Sequence, residues 1–488
     1  MTRARRRLFV LASACAAAAA LFPFTARPIS WDEIAYMDLA FSPAPQAWIL
    51  NRYAHAYAMK AFMTLAGDGY VGAQAYWCAL FGVTVGGLVE VALRLPAGQR
   101  WRVLGLTLLL LAGQTTLFAY PGVAYADYTI MAVATVSVCV ALGRVLEDRW
   151  TVGTAFLLGA LFVFGMKAKE TALPLLLLPV LFFVGASGRQ RLRRDAPALA
   201  VAWLAGGLAV ALALVVLDGV LLGDPLFGLR PSSWRELLGY NLQPESDAPF
   251  DGYPTLLLRR AVPSFALYLV AGPMWLARKR DVRLVLLYGF PLVFLLMLVV
   301  LRSHVSMGVV ERNLIPILPL HCLLAALAFC EVAAAAYGRW RRRLAWAALA
   351  VVLVAGFGSA YGVLTALLER RVQREGAGRF AGFYQVARAV EVDRGASILV
   401  SPRLYDGEIR PRARISLARL NFDVSLPRKQ LVHEAAWTGQ PVDYAVLDAR
   451  EYAAWARSAP ALGEHQVVRS DDGAVVLLCL RGPCPRRQ

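Results

Sequence analysis

Charge is scarce in this sequence. Asp, Glu, Lys and Arg make up 17% of its 488 residues, while 58% are apolar. A disordered chain needs the opposite balance, and a water-soluble enzyme carries more charge than this. Acidic residues are the rarer sign, 33 against 51 Lys and Arg, which leaves a net charge of +18. The seven cysteines are scattered without a Cys-x-x-Cys pair, which argues against a structural zinc site. There is no Gly-rich phosphate loop, no Asp-x-Asp-bearing soluble domain, no internal repeat and no low-complexity linker. An enzyme fed by a cytoplasmic nucleotide is therefore not indicated. Nor is nucleic acid the partner of the basic excess. The basic residues stand in short clusters between apolar runs, the pattern of cytoplasmic membrane loops.

What the sequence does have is long apolar runs, and about 20 such residues cross a membrane. We read about eleven, near residues 8–24, 71–93, 103–119, 123–143, 151–166, 171–186, 196–221, 262–277, 283–301, 313–338 and 344–367. The first follows Arg3, Arg5, Arg6 and Arg7 and has the make-up of a signal peptide or a signal anchor. We read it as an uncleaved anchor, because the residues after it resemble an active-site loop. With the N-terminus inside, each cytoplasmic link is basic: Arg94, Arg100 and Arg102; Arg144 and Arg149; Arg189 to Arg194; Arg278 to Arg283; Arg339 to Arg343. The links left for the outside include two long loops, 25–70 and 222–261, and the tail from 368. The expected fold is an all-α polytopic membrane domain over 1–367, followed by a small extracytoplasmic α/β domain over 368–488. The tail has strand-like runs at 397–401, 444–447 and 474–480 and helix-like stretches near 380–392 and 450–458. Cys479 and Cys484 close a short loop there, and the spacing is compatible with a disulfide or with two thiols.

The candidate chemistry clusters on the outer face. Trp31-Asp32-Glu33-Ile34-Ala35-Tyr36 follows the first run and sets two carboxylates between interfacial aromatics. After Pro43 and Pro45, residues 46–66 read as an amphipathic helix on the membrane surface, with Asn51, Arg52 and His55 within one turn. Asp127 stands at the outer end of the fourth run, where an ionisable group is a functional candidate by default. Lys167, Lys169 and Glu170 follow the fifth run against the positive-inside bias. An anionic ligand would explain those lysines, and so would pairing with Glu170. Arg302, His304 and Arg312 form a further basic group before the tenth run. A carboxylate can take a proton from a hydroxyl nucleophile, and cations can hold a phosphate as charge develops on it. Together they suit displacement of a phosphate from a lipid-linked substrate.

These segments resemble the polytopic GT-C glycosyltransferases of the family-39 type, related to protein O-mannosyltransferases and aminoarabinose transferases. The resemblance runs in order through Trp31 to Tyr36, the helix at 46–66, Ala79-Leu80-Phe81-Gly82, Lys169-Glu170-Thr171-Ala172-Leu173 and Glu311-Arg312-Asn313-Leu314-Ile315-Pro316, over roughly residues 8–340. It implies a polyprenyl-phosphate-sugar donor and inverting transfer to a glycan, lipid or protein on the outer face of a bacterial-type inner membrane. It implies Asp32 as general base, Glu33 orienting sugar or acceptor, and Asp127 as the second acid. Lys169 and Arg312 then lie near the donor phosphate, with Lys167, Arg302 and His304 as further contacts. The family's His-Pro-Pro motif is replaced by Asn51-Arg52-Tyr53, which leaves His55 without a carried-over role, and Asn313 stands where Tyr is usual. Some members bind a divalent metal and others none, so no cofactor carries over. Two other readings differ in class. A transporter or flippase for an anionic lipid needs polar residues deep in several spans, whereas these spans are nearly all Ala, Leu, Val and Phe. A catalytically silent assembly subunit would have no use for both acidic and both basic clusters.

Overall fold

The computed structural model describes residues 3–24, 52–67, 69–114, 116–117, 125–184, 190–227, 262–304 and 311–335. In the tail it describes 397–400, 430–432, 444–450, 452–453, 466–469 and 475–480, and isolated positions elsewhere include Tyr36 and Ala40. Asp32, Glu33 and Cys484 lie outside the described residues, as do the helix-like stretch at 380–392 and almost all of the run at 344–367.

Ten of the eleven apolar runs are helical where described. They form α1 (Arg3–Leu21), α3 (Gly69–Arg94), α4 (Ala97–Ala112), α5 (Ala126–Glu147), α6 (Val152–Ala168), α8 (Gln190–Leu222), α9 (Val262–Lys279), α10 (Val282–His304) and α11 (Leu318–Ala335), with the sixth run in two pieces. The amphipathic stretch is α2 (Tyr53–Ala66). Among the described residues five helical segments are long and apolar enough to cross a membrane: Val71–Arg94, Ala126–Glu147, Asp195–Leu222, Val282–Val300 and Asn313–Ala335. The chain is a multi-pass membrane protein. The outer stripe of α8, with Val201, Leu204, Leu208, Leu212 and Val216 all exposed at helical spacing, is a liability in water and a lipid-facing surface in a bilayer.

The local sequence accounts for the breaks. Thr151 caps α6, its side chain accepting from the Thr154 amide, and α2 ends at Gly67 with φ of 67°. The sixth run is not one α-helix. It is a 3-10 segment, Glu170–Leu177, with Pro174 inside, then α7 (Val180–Phe183) behind Pro179. Proline removes the amide that an α-helix needs at these points.

Helices α6 and α8 meet at two glycines. A Cβ on Gly159 would run into the Trp203 carbonyl oxygen, and one on Gly206 into that of Phe156. Backbone cannot give way as a side chain can, so Gly206→Leu is expected to cost at least about 1–3 kcal/mol. A lowered thermal midpoint in detergent checks this, with Gly153→Ala, where an added Cβ meets nothing within 4 Å, as the control.

Ion pairs show how the helices alternate. Arg94 at the end of α3 pairs with Glu90 at 2.7 Å and with Glu147 at the end of α5 at 2.8 Å. Arg6 near the start of α1 reaches both carboxylates, at 3.5 and 3.9 Å. Arg283 at the start of α10 pairs with Asp148 at 2.7 Å, and Lys279 at the end of α9 with Glu331 at 3.0 Å. The basic links following the second, fourth and eighth runs thus share one end of the bundle with Arg6, as the loop arithmetic requires.

In the tail, five strands form one sheet in the order β2-β1-β3-β5-β4. They are β1 (Ser397–Val400), β2 (Gln430–Val432), β3 (Tyr444–Asp448), β4 (Gln466–Arg469) and β5 (Val475–Cys479). β1 runs parallel to β2 and β3, and β5 runs antiparallel to β3 and β4. Period-two alternation splits its apolar residues. Tyr444, Leu477 and Cys479 join the main helical core, while Ala445, Leu447, Val476 and Leu478 make a second core with Tyr452. Cys479 is disulfide-bonded, and Cys15, Cys78, Cys139, Cys322 and Cys330 are free thiols.

Candidate active site

The opposite end of the bundle carries the other charges. Two helix termini meet there with favourable dipoles. Asp127 lies in the first turn of α5, where the positive helix end favours an acid. Lys169 follows the last residue of α6, where the negative end favours a cation, and its extended backbone (φ −167°, ψ 142°) turns the chain into the 3-10 segment. Lys169 Nζ donates to Asp127 Oδ1 at 2.5 Å and to Asn313 Oδ1 at 3.3 Å. The Lys169 and Asp127 side chains are 5% and 4% exposed, so this ion pair is screened from water.

A second pair stands beside the first. Arg52, just before α2, reaches Glu170 Oε1 at 3.5 Å and donates to the Tyr36 hydroxyl. Asp127 adds to the field at Arg52, and Lys169 to that at Glu170, so the four charges act as one cluster. A third acid, Asp218, lies one turn before the end of α8, where Tyr57 of α2 donates to its Oδ1 at 2.6 Å. Burial first, and this hydrogen bond next, push the Tyr57 phenol up, so it stays protonated as the donor. Lys167 lies within electrostatic reach of the same carboxylate.

The structure therefore brings together Asp127, Lys167, Lys169 and Glu170 of the expected residues. His55 is there too, but inside the packing. It is fully buried, with Nδ1 at 2.8 Å from Thr129 Oγ1 and its ring edge-on to Tyr36, while Tyr76 shares Thr129 from the other side. It joins α2 to α5. Arg302 and His304 belong to the last turn of α10, and Arg312 lies in the 3-10 segment Glu311–Ile317, next to Asn313, which touches Lys169.

Some residues were not singled out from sequence. Asp218 is the lone charge after Asp195 in a long apolar run, a signal that was available. The view that span interiors are nearly all apolar needs correcting. Gln114, two residues past α4, donates to Ser264 of α9, and Ser264 meets His321 of α11 at 2.7 Å, all three buried. Where a metal is concerned, no group of three or more His, Cys, Asp or Glu among the described residues is placed to hold one.

The chain matches no family model and no curated protein. Its fold is similar to that of ArnT from Cupriavidus metallidurans. Against the crystal structure of that protein bound to undecaprenyl phosphate, the TM-score is 0.59 at 16% identity, covering 99% of both chains. Against its apo state the TM-score is 0.60 at 16% identity, covering 98% of both chains. The likeness spans the helical part and the tail together, so the two proteins share a fold.

Proposed function

We propose that this protein is an inverting glycosyltransferase that moves a sugar from a polyprenyl-phosphate donor to a glycan, lipid or protein acceptor at the outer face of an inner membrane. The observation that carries the reading is the gathering of acids and cations at the end of the bundle away from the basic links. Asp127, Lys167, Lys169, Glu170 and Arg52 meet there, on a fold similar to one whose crystal structure holds undecaprenyl phosphate. The disulfide at Cys479 suits an oxidising compartment.

In this account Asp32 accepts the proton of the acceptor hydroxyl as its oxygen attacks the anomeric carbon. The bond from that carbon to the phosphate oxygen breaks, and the departing polyprenyl phosphate gains a negative charge. Glu33 orients the sugar or acceptor. Arg312, Arg302, Lys167 and His304 meet the growing charge. Lys169 is held by Asp127, so it presents a fixed positive edge beside the phosphate, and Asp127 positions it rather than taking a proton. Asp32 is four residues from Tyr36, a contact of Arg52, so the chain limits it to about 14 Å from that residue.

The reading is tested with purified protein in nanodiscs, comparing undecaprenyl phosphate with undecaprenol. Wild type is expected to prefer the phosphate. Arg312→Ala should weaken that binding about tenfold or more, the worth of a hydrogen bond to a charged group. Equal binding of the two lipids by wild type would contradict the donor class, and unchanged affinity in Arg312→Ala would remove that residue from the site.

A further inference from the structure

Asp218 stands where a helix disfavours an acid. It lies one turn before the end of α8, towards the negative end of the helix dipole and inside an apolar run, and it is only 7% exposed. Val216 and Val220, two residues to either side, are both exposed, which puts Asp218 on the opposite, inward side of the helix. Tyr57 of α2 donates to its Oδ1 at 2.6 Å, but a phenol is neutral, and a buried carboxylate needs a cation. Lys167 is a cation within electrostatic reach, half-buried in the last turn of α6. α6 and α8 are in backbone contact at Gly159 and Gly206, so the two side chains arise from helices that pack directly on each other. The other flank of α6 repeats the arrangement, because Asp127 of α5 holds Lys169 there. Each lysine that stands against the positive-inside bias thus faces an acid from a neighbouring helix.

We propose that Asp218 is a positioning residue for Lys167, holding its ammonium for the departing phosphate of the donor, and that Tyr57 fixes the carboxylate for that task. The proposal rests on the reading of Lys167 as a contact of the donor phosphate. An acid near a phosphate repels it, so the charge of Asp218 adds nothing to phosphate binding directly. Its contribution is to fix the lysine, whose four-carbon stem is otherwise flexible. Loss of Asp218 is therefore expected to lower turnover and to spare affinity.

The test uses three substitutions in the full-length protein. Asp218→Asn keeps an oxygen for Tyr57 and drops the charge, Tyr57→Phe drops the hydroxyl, and Lys167→Met drops the ammonium. The first two are made alone and together with Lys167→Met. Turnover is read in cells from the polyprenyl-phosphate-sugar pool, undecaprenyl phosphate affinity in nanodiscs, and folding from the heat-denaturation midpoint. Lys167→Met is expected to lower turnover about 100-fold and affinity about tenfold. Asp218→Asn should lower turnover about tenfold while affinity changes less than about threefold. Tyr57→Phe should lower turnover about threefold, the worth of one hydrogen bond. In the Lys167→Met background neither should add a further loss, because the side chain that they position is gone. Wild-type turnover in Asp218→Asn, with Lys167→Met impaired, overturns the proposal. So does a further tenfold loss when Asp218→Asn is added to Lys167→Met, which would make Asp218 a fastening of α2 to α8 that acts without the lysine. If Asp218→Asn does not fold, the same comparison with Tyr57→Phe decides. Failure of the underlying reading is distinguishable, because it appears as wild-type turnover and affinity in Lys167→Met itself.

Discussion

Asp32→Asn is expected to lower sugar transfer by about 10²–10⁴-fold, the range that a positioned general base supplies. The amide matches the carboxylate in size, so packing is conserved while the proton acceptor is lost. The acceptor hydroxyl must lose its proton as its oxygen bonds to the anomeric carbon, and a neutral amide cannot take it. Asp127, Glu170 and Asp218 are less suited to the task. Asp127 is held by Lys169 at 2.5 Å, Glu170 faces Arg52, and Asp218 accepts from Tyr57 at 2.6 Å. A carboxylate already committed to a cation or a phenol is a poor proton acceptor. Turnover by Asp32→Asn in cells, with its heat-denaturation midpoint as the control for folding, checks the expectation. Wild-type turnover would remove Asp32 from the mechanism.

The second large effect concerns stability. Lys169→Met should destabilise the protein by about 3–5 kcal/mol, because it leaves the Asp127 carboxylate buried without its cation. Asp127→Leu should cost a similar amount by removing the carboxylate that Lys169 donates to. The double variant, Asp127→Leu with Lys169→Met, should recover much of that loss, since apolar side chains of similar volume replace a buried pair at little cost. It should not recover transfer, because the fixed charge beside the phosphate is gone. Midpoints of heat denaturation in one detergent test the set. A Lys169→Met midpoint equal to wild type would mean that the pair is not buried as the 5% and 4% exposures of its side chains indicate.

The helices were legible in the sequence because each apolar run is long enough to need no partner for its backbone polar groups. The sixth run was harder. Its composition reads as a span, while Pro174 and Pro179 break its hydrogen-bond ladder into a 3-10 segment and a short helix. In the tail, β1, β3 and β5 stood out as β-branched or apolar runs. Strands β2 and β4, of three and four residues, offer too little pattern. The charged clusters at 127 and 167–170 were visible as ionisable residues at the end of apolar runs. Their pairing was not, because Lys169 meets Asp127 across 42 positions and Asn313 across 144. Arg52 and Asp218 show the same limit, since each takes its meaning from a partner far away in the chain.

The account's central claim is that the protein consumes a lipid-linked sugar with Asp32 as the base. The most direct test is lipid mass spectrometry of the polyprenyl-phosphate-sugar pool in a deletion strain complemented with wild type or with Asp32→Asn. The account predicts that one glycosyl-phosphate lipid accumulates in the deletion and with the variant but not with wild type, and its added mass identifies the sugar class. A pool that is the same in the deletion and the wild-type strain would contradict the claim that this protein consumes such a donor.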